Sequence, residues 1–413
     1  MSRIDKYMTV GLSPTVWGAE KRADIQKNLD HIHENLSAAT WLSSVDLPVK
    51  LAVIPEGGLQ GFTDEIMDMD HATYREEIAI DIPGRETGRL GEYAKEFDIY
   101  IVASAKERAP EYDEKFYNTA FVINPDGEVI LKHRKLTPLL PVERSVTPHD
   151  VWDDWVEHHG DDLDDIYPVV DTEIGRIGVS LAIEGAYPEY FRGLAMNGAE
   201  VVCRIACPEP LVANEGWKIQ NRARALDNTC YVVAPNLGTY YLTQDAETPV
   251  DTFGGGSMVV DHKGKLISEH SYGAGSSYCA GVVDIEGLRE FRTESPLMNW
   301  TKDLRTELIR PIYDREIYPK NLWLDQQPVK HDEYAETVTE TQIEKMVEKD
   351  IFVPPYWERN GAGDVTGEQT EEELEEEDPV YYDFETNGTS GETDGAGDEA
   401  SDDPVYYETD IST

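Results

Sequence analysis

Through the first 290 residues, short apolar runs alternate with helical stretches, and the alternation twice closes on a hairpin turn. Tyr7–Leu12 and Leu51–Ile54 read as buried strands, with a long helical segment, Lys21–Ser37, between them. Arg85–Phe97 is predicted helical and Ile99–Ser104 a strand. Phe116–Ile123 and Glu128–Leu131 flank Asn124-Pro125-Asp126-Gly127, whose Asp-Gly step suits a tight turn between antiparallel strands. The theme then repeats. Ile177–Ile183 is a predicted strand, and Pro188–Asn197 a helix opened by proline and stopped by Gly198. Val201–Cys203, Trp217–Asn228 and Tyr231–Ala234 continue as strand, helix, strand. Ser257–Val260 and Lys265–Ile267 flank Asp261-His262-Lys263-Gly264, a second hairpin. Two halves of this kind predict an α/β layered sandwich.

After the 1–290 body the pattern weakens. Residues 291–360 form an extension with Trp300, Trp323 and Trp357 as apolar anchors, expected to pack on the body or on a partner subunit. Residues 361–413 carry 19 acids and no base, a composition that predicts a disordered tail. Within it Asp378-Pro379-Val380-Tyr381-Tyr382 recurs as Asp403-Pro404-Val405-Tyr406-Tyr407. The tail explains less than half of the net charge of −46, because the first 360 residues hold 63 acids against 36 bases. An acidic body argues for a halophilic protein, whose self-repulsion is screened by salt, or simply for an acidic cytoplasmic one, and either reading argues against nucleic-acid binding, which needs a basic face. No run of 18 or more apolar residues is present, so no membrane span is expected, and Met1–Thr9 lacks the features of a secretory signal. Four cysteines without a disulfide framework or metal-ligand spacing point to a cytoplasmic protein with no metal and no cofactor.

Three segments put polar residues at strand exits, where α/β proteins gather their sites. Leu51-Ala-Val-Ile-Pro-Glu56 places a carboxylate after a buried run. Leu131-Lys-His-Arg-Lys135-Leu-Thr-Pro138 places a basic cluster after the first hairpin. Ile177-Gly-Val-Ser-Leu-Ala182-Ile-Glu184-Gly-Ala-Tyr-Pro-Glu189 runs from a strand into a helix. Taken singly, Glu56 reads as a partly exposed acid and Lys135 as a surface charge.

In this order the three segments resemble the carbon–nitrogen hydrolase (nitrilase) superfamily, over roughly Met8 to Glu286. Supporting matches are Asn118-Thr119-Ala120, Arg224-Ala225 through Tyr231-Val232-Val233-Ala234, and Gly255-Gly256-Ser257. Tyr187-Pro188-Glu189 through Gly198-Ala199-Glu200 looks most like the aliphatic amidase and formamidase branch. The resemblance implies a four-layer α-β-β-α sandwich and at least a homodimer. It implies Glu56 as general base, Lys135 as catalytic lysine and Glu143, in Pro141-Val142-Glu143, as a second active-site glutamate. It sets Glu184 and Cys207 among the substrate-binding positions.

The family's nucleophilic cysteine lies seven residues before the glutamate matched by Glu189, and counting back gives Ala182. Such enzymes attack an amide or nitrile carbon with a thiolate, while a glutamate handles the proton and the lysine steadies the developing oxyanion. A methyl group cannot do the first step. Glu56, Lys135 and Glu143 are expected to converge beside it. The chain therefore reads as a catalytically impaired or non-hydrolytic scaffold that retains a pocket for a small amide- or nitrile-like molecule. The alternatives are an active amidase or nitrilase whose cysteine has been exchanged for alanine, or an enzyme using water or a displaced thiol, Cys203 or Cys207.

Overall fold

Residues 3–207, 215–251, 255–314 and 316–355 are described by a computed structural model. The strands are β1 (Tyr7–Ser13), β2 (Val16–Trp17), β3 (Val49–Val53), β4 (Tyr100–Arg108), β5 (Phe116–Ile123), β6 (Val129–Arg134), β7 (Val169–Thr172), β8 (Gly175–Leu181), β9 (Val201–Ile205), β10 (Tyr231–Ala234), β11 (Tyr240–Tyr241), β12 (Ser257–Val260), β13 (Leu266–His270) and β14 (Ser277–Val283). Two six-stranded sheets result, in the orders β14-β1-β3-β4-β5-β6 and β13-β12-β10-β9-β8-β7. Each has parallel strands at its centre and antiparallel hairpins at its margins.

The strand residues are apolar almost without interruption because both faces of each sheet are covered. Along β3, Leu51 and Val53 enter the core between the sheets, whereas Ala52 enters the core under the helices Ile25–Ser43 and Arg85–Phe97. Along β9, Val201, Cys203 and Ile205 point between the sheets, and Val202 points to the helices Pro188–Met196 and Gly216–Asn228. This two-residue period builds the layers helix, sheet, sheet, helix.

Most expected elements are present, with shifted ends. The first helix runs Ile25–Ser43 rather than 21–37. β4 continues past Ser104 to Arg108, because Lys106 and Glu107 are buried with partners instead of ending the strand. The strand expected over Ile177–Ile183 stops at Leu181, and Ala182–Ala186 forms a 3-10 turn. Here local geometry overrides the apolar run: Ala182 sits at φ 39°, in the left-handed region, which no strand can continue through.

Residues up to Phe352 form one compact unit; of a second, from Val353, only 353–355 are described. The helix Ile285–Glu294 spans position 290. Beyond it Trp323, Tyr334 and Val338 make a small core with Leu140, while Trp300 is 43% exposed. Trp323 and Asn321 donate backbone N–H bonds to the carbonyls of Asp150 and His149, at 3.0 Å each. The extension thus braces the segment that follows Glu143. Trp357 and the acidic tail lie outside the described residues. Among the described residues no helix is long and apolar enough to cross a membrane.

Candidate active site

Glu56 follows β3 by three residues, and Lys135 directly follows β6, where its N–H still donates to Asn118 O at 2.8 Å. Glu143 lies on the loop after Pro138. The three side chains meet. Lys135 Nζ donates to Glu56 Oε1 at 2.8 Å and to Glu143 Oε2 at 2.5 Å. Asn118 Nδ2 donates to both glutamates, at 2.7 and 2.9 Å, and Ser145 Oγ donates to Glu143 Oε1 at 3.0 Å. All three charged groups are 2% exposed, so water does little to screen them.

Burial and partners set the proton affinities. Burial pushes the Glu56 carboxyl up from its ordinary value, and Glu143 adds to this while Lys135 opposes it. Burial also acts on Glu143, but Lys135 and then Lys106 outweigh it and bring that carboxyl down to about 2. Burial works against the Lys135 ammonium, yet Glu143 and Glu56 hold its pKa above the ordinary lysine value. The arrangement is a fixed cation between two carboxylates whose proton affinities are pushed in opposite directions.

Ala182 stands at the exit of β8, on the facing sheet. Its turn is gripped by two arginines. Arg204 Nε donates to Ala182 O at 3.0 Å, and Arg224 donates to Gly185 O and Ala186 O at 3.1 and 2.8 Å. Gly185 is required there, since a Cβ would lie 1.9 Å from Arg204 Nε. The structure places Glu184 beneath this turn with both oxygens engaged. Oε2 accepts from Leu181 N and Oε1 from Leu136 N, each at 2.6 Å, and His133 Nε2 lies 3.1 Å from both. One carboxylate therefore ties the Leu181 N–H, at the end of β8, to the Leu136 N–H, just after Lys135. Cys207 is buried with Val16, Phe62, Leu237 and Tyr240. Cys203 lies in the core between the sheets, where burial pushes its thiol far above the ordinary range.

Sequence reasoning left out Asn118, although its Asn-Thr-Ala context had been noted, and it left out Lys106, Asp64 and Glu65. The available signal for Lys106 was a charge interrupting the apolar run of β4. Among the described residues no group of three or more His, Cys, Asp or Glu side chains has the geometry to hold a metal ion. A groove of about 610 Å³ is lined by residues of the helices Ile25–Ser43 and Arg85–Phe97, among them Arg85 and Glu86, and includes none of the site residues.

Two facing sheets sandwiched by helices, with a Glu–Lys–Glu cluster at one strand exit and a strained turn at the opposite one, define a hydrolase-type scaffold. The chain belongs to the carbon–nitrogen hydrolase family, whose model matches residues 9–293. It is similar to a formamidase of Bacillus cereus (strain AH820), 32% identical over 266 residues, which are 63% of this chain and 71% of that protein. In fold it is similar to Nit3 of Saccharomyces cerevisiae, a nitrilase-superfamily member, with a TM-score of 0.52 at 23% identity, over 71% of this chain and 95% of that one. It is likewise similar to a cysteine-to-alanine mutant of the amidase from Nesterenkonia sp. AN1 in complex with butyramide. That match has a TM-score of 0.53 at 20% identity, over 74% and 96% of the two chains.

Proposed function

We propose that this chain holds a small, amide-like molecule in a carbon–nitrogen hydrolase pocket without hydrolysing it at an enzyme's rate. The observation that carries this reading is Ala182 at the strained turn after β8, where φ is 39°. A left-handed alanine costs about 1–2 kcal/mol, and such strain persists only where the surroundings impose it. Arg204, Arg224 and Glu184 impose it here. The turn is thus kept in a reactive group's geometry while holding only a methyl.

Lys135 has a third ammonium proton to offer a carbonyl oxygen, and Glu56 has a second oxygen to offer an amide N–H. The amidase mutant bound to butyramide supports the idea that an alanine-bearing site of this fold can hold a short amide. A displaced thiol is disfavoured, because Cys203 is sealed in the inter-sheet core and Cys207 sits in an apolar cluster. The homodimer belongs to the same reading. Ile219, Leu308 and Ile312 are 62%, 75% and 63% exposed on helices that a second copy would cover, which sedimentation would test.

The direct experiment offers the unmodified chain a panel of short aliphatic amides and nitriles, followed by release of ammonia and by calorimetric binding. Saturable binding with no sustained ammonia release is expected. Multi-turnover hydrolysis would overturn the reading, and exchanging Cys203 and Cys207 for serine would then test for a displaced nucleophile.

A further inference from the structure

Behind Glu143 lies a second group of buried charges. Lys106, on β4, points its ammonium at Glu65 Oε1 (2.8 Å), Asp64 Oδ2 (3.1 Å) and Glu143 Oε1 (3.7 Å). Asp64 and Glu65 belong to the short helix Thr63–Ile66, which follows the loop bearing Glu56. With Glu56 and Lys135 this makes four carboxylates and two ammonium groups joined by contacts of 3.7 Å or less, none more than 9% exposed. Full ionisation would leave two uncompensated negative charges where water cannot reach them. Isolated buried charges are costly enough that such groups take up protons instead.

We propose that Asp64, Glu65 and Lys106 form a proton-holding annex to the site, in which Glu65 carries a proton at neutral pH and Lys106 helps keep Glu143 ionised. The geometry narrows the choice to the adjacent pair Asp64 and Glu65, which share Lys106 as their cation. Glu143 is contacted by both ammonium groups and accepts from Asn118, Ser145 and the Leu139 N–H. Glu56 accepts from Lys135 and Asn118. Glu65 accepts only from Lys106 among the described residues and stands next to Asp64. Neither Asp64 oxygen nor the Tyr74 hydroxyl has a hydrogen-bond partner among the described residues, although Asp64 Oδ2 lies 3.1 Å from Lys106 Nζ. Tyr240, from β11, whose hydroxyl accepts from the Phe62 N–H at 3.0 Å, also senses Asp64 and Glu65 and adds no cation. Arg144, the next cation along the chain, is spent on Asp68 at 3.0 Å and on backbone carbonyls. Burial first, and then Asp64, Glu143 and Glu56, push the Glu65 carboxyl up to about 8 against the opposing pull of Lys106.

A proton on Glu65 frees Lys106 to face Glu143, and an ionised Glu143 keeps Lys135 charged and aimed. Glu65 and Lys106 are therefore positioning residues for whatever Lys135 binds; only this last consequence rests on the ligand-binding reading above. Glu65 binds its proton more tightly folded, at about 8, than unfolded, at about 4.5. The stability it contributes is fully present below 4.5 and is lost as pH rises through about 8.

The test is infrared spectroscopy of the full chain in D2O, which reads protonated carboxyl groups directly and needs neither ligand nor turnover. At neutral pH a protonated-carboxyl C=O band is expected, fading on the alkaline side with a midpoint near 8. Glu65→Gln should abolish that band and flatten the alkaline fall in stability. Absence of the band in the unmodified chain, or its persistence in Glu65→Gln, would overturn the proposal. Should Glu65→Gln not fold, Asp64→Asn serves instead: removing a neighbouring charge should move the band's midpoint to lower pH, and an unmoved midpoint overturns the proposal. In Lys106→Met one additional protonated carboxyl is expected at neutral pH, and an unchanged band there would break the link to Glu143. Failure to bind amides, with the band present, would sink the ligand reading and leave the annex standing.

Discussion

On the first-sheet side of the site, Glu56, Lys135 and Glu143 satisfy one another, with Asn118 and Ser145 filling the remaining directions. On the second-sheet side, Ala182 offers no polar side-chain atom, yet its backbone is held as tightly by Arg204, Arg224 and the Glu184 carboxylate. The contrast teaches that two jobs are separable in this fold. The buried charges are gathered at one sheet, and the strained backbone turn at the other. The strained turn is maintained by its own contacts and asks nothing of the side chain it carries.

Breaking the first-sheet side should have the largest effect. Lys135→Ala leaves Glu143 and Glu56 buried without their shared cation, and should lower stability by about 3–5 kcal/mol at neutral pH in urea unfolding. The deficit should shrink in acid. Glu143 is held at about 2 against an ordinary 4.5, so the stability it contributes is present above 4.5 and lost as pH falls through about 2. A deficit that does not depend on pH would mean that Lys135 acts by packing alone.

Supplying the second-sheet side with a thiol comes next. Ala182→Cys should raise ammonia release from short aliphatic amides by on the order of a hundredfold over the unmodified chain, through an acyl-enzyme that mass spectrometry can trap. No gain across the panel would indicate a pocket that has drifted, since misplacement by about 1 Å costs a hundredfold.

Glu184→Gln probes the tie between the two sides. It sets an amide NH2 against one of the N–H groups of Leu136 and Leu181, and should cost about 1–3 kcal/mol. In the Ala182→Cys background it should also lower the recovered rate; a stability loss with the rate intact would make Glu184 a purely structural brace. The smallest change is expected from Ala182→Gly, which relieves the left-handed strain and should stabilise the fold by up to about 1 kcal/mol in thermal unfolding. Destabilisation there would show that the methyl's packing outweighs the backbone strain.

The layered α/β architecture was readable without coordinates, because strands buried on both faces advertise themselves as apolar runs, and the two Asp-Gly and Lys-Gly turns mark where each half doubles back. Glu56 and Lys135 stand at strand exits, and the order of the motifs around them, like the count back from Glu189 to Ala182 that the resemblance implies, is legible along the chain. Position within a strand is a local property, and local properties survive in one dimension. Tertiary structure alone decided what those residues meet. The strand ending at Leu181, one residue before the expected site, depends on Arg204 from β9 and on a carboxylate bound to Leu136 of the other sheet. The burial of Lys106 among Asp64, Glu65 and Glu143 joins three separate stretches of chain. Charge compensation is set by distances of a few ångströms between segments far apart in sequence, and no pattern along the chain encodes that sum.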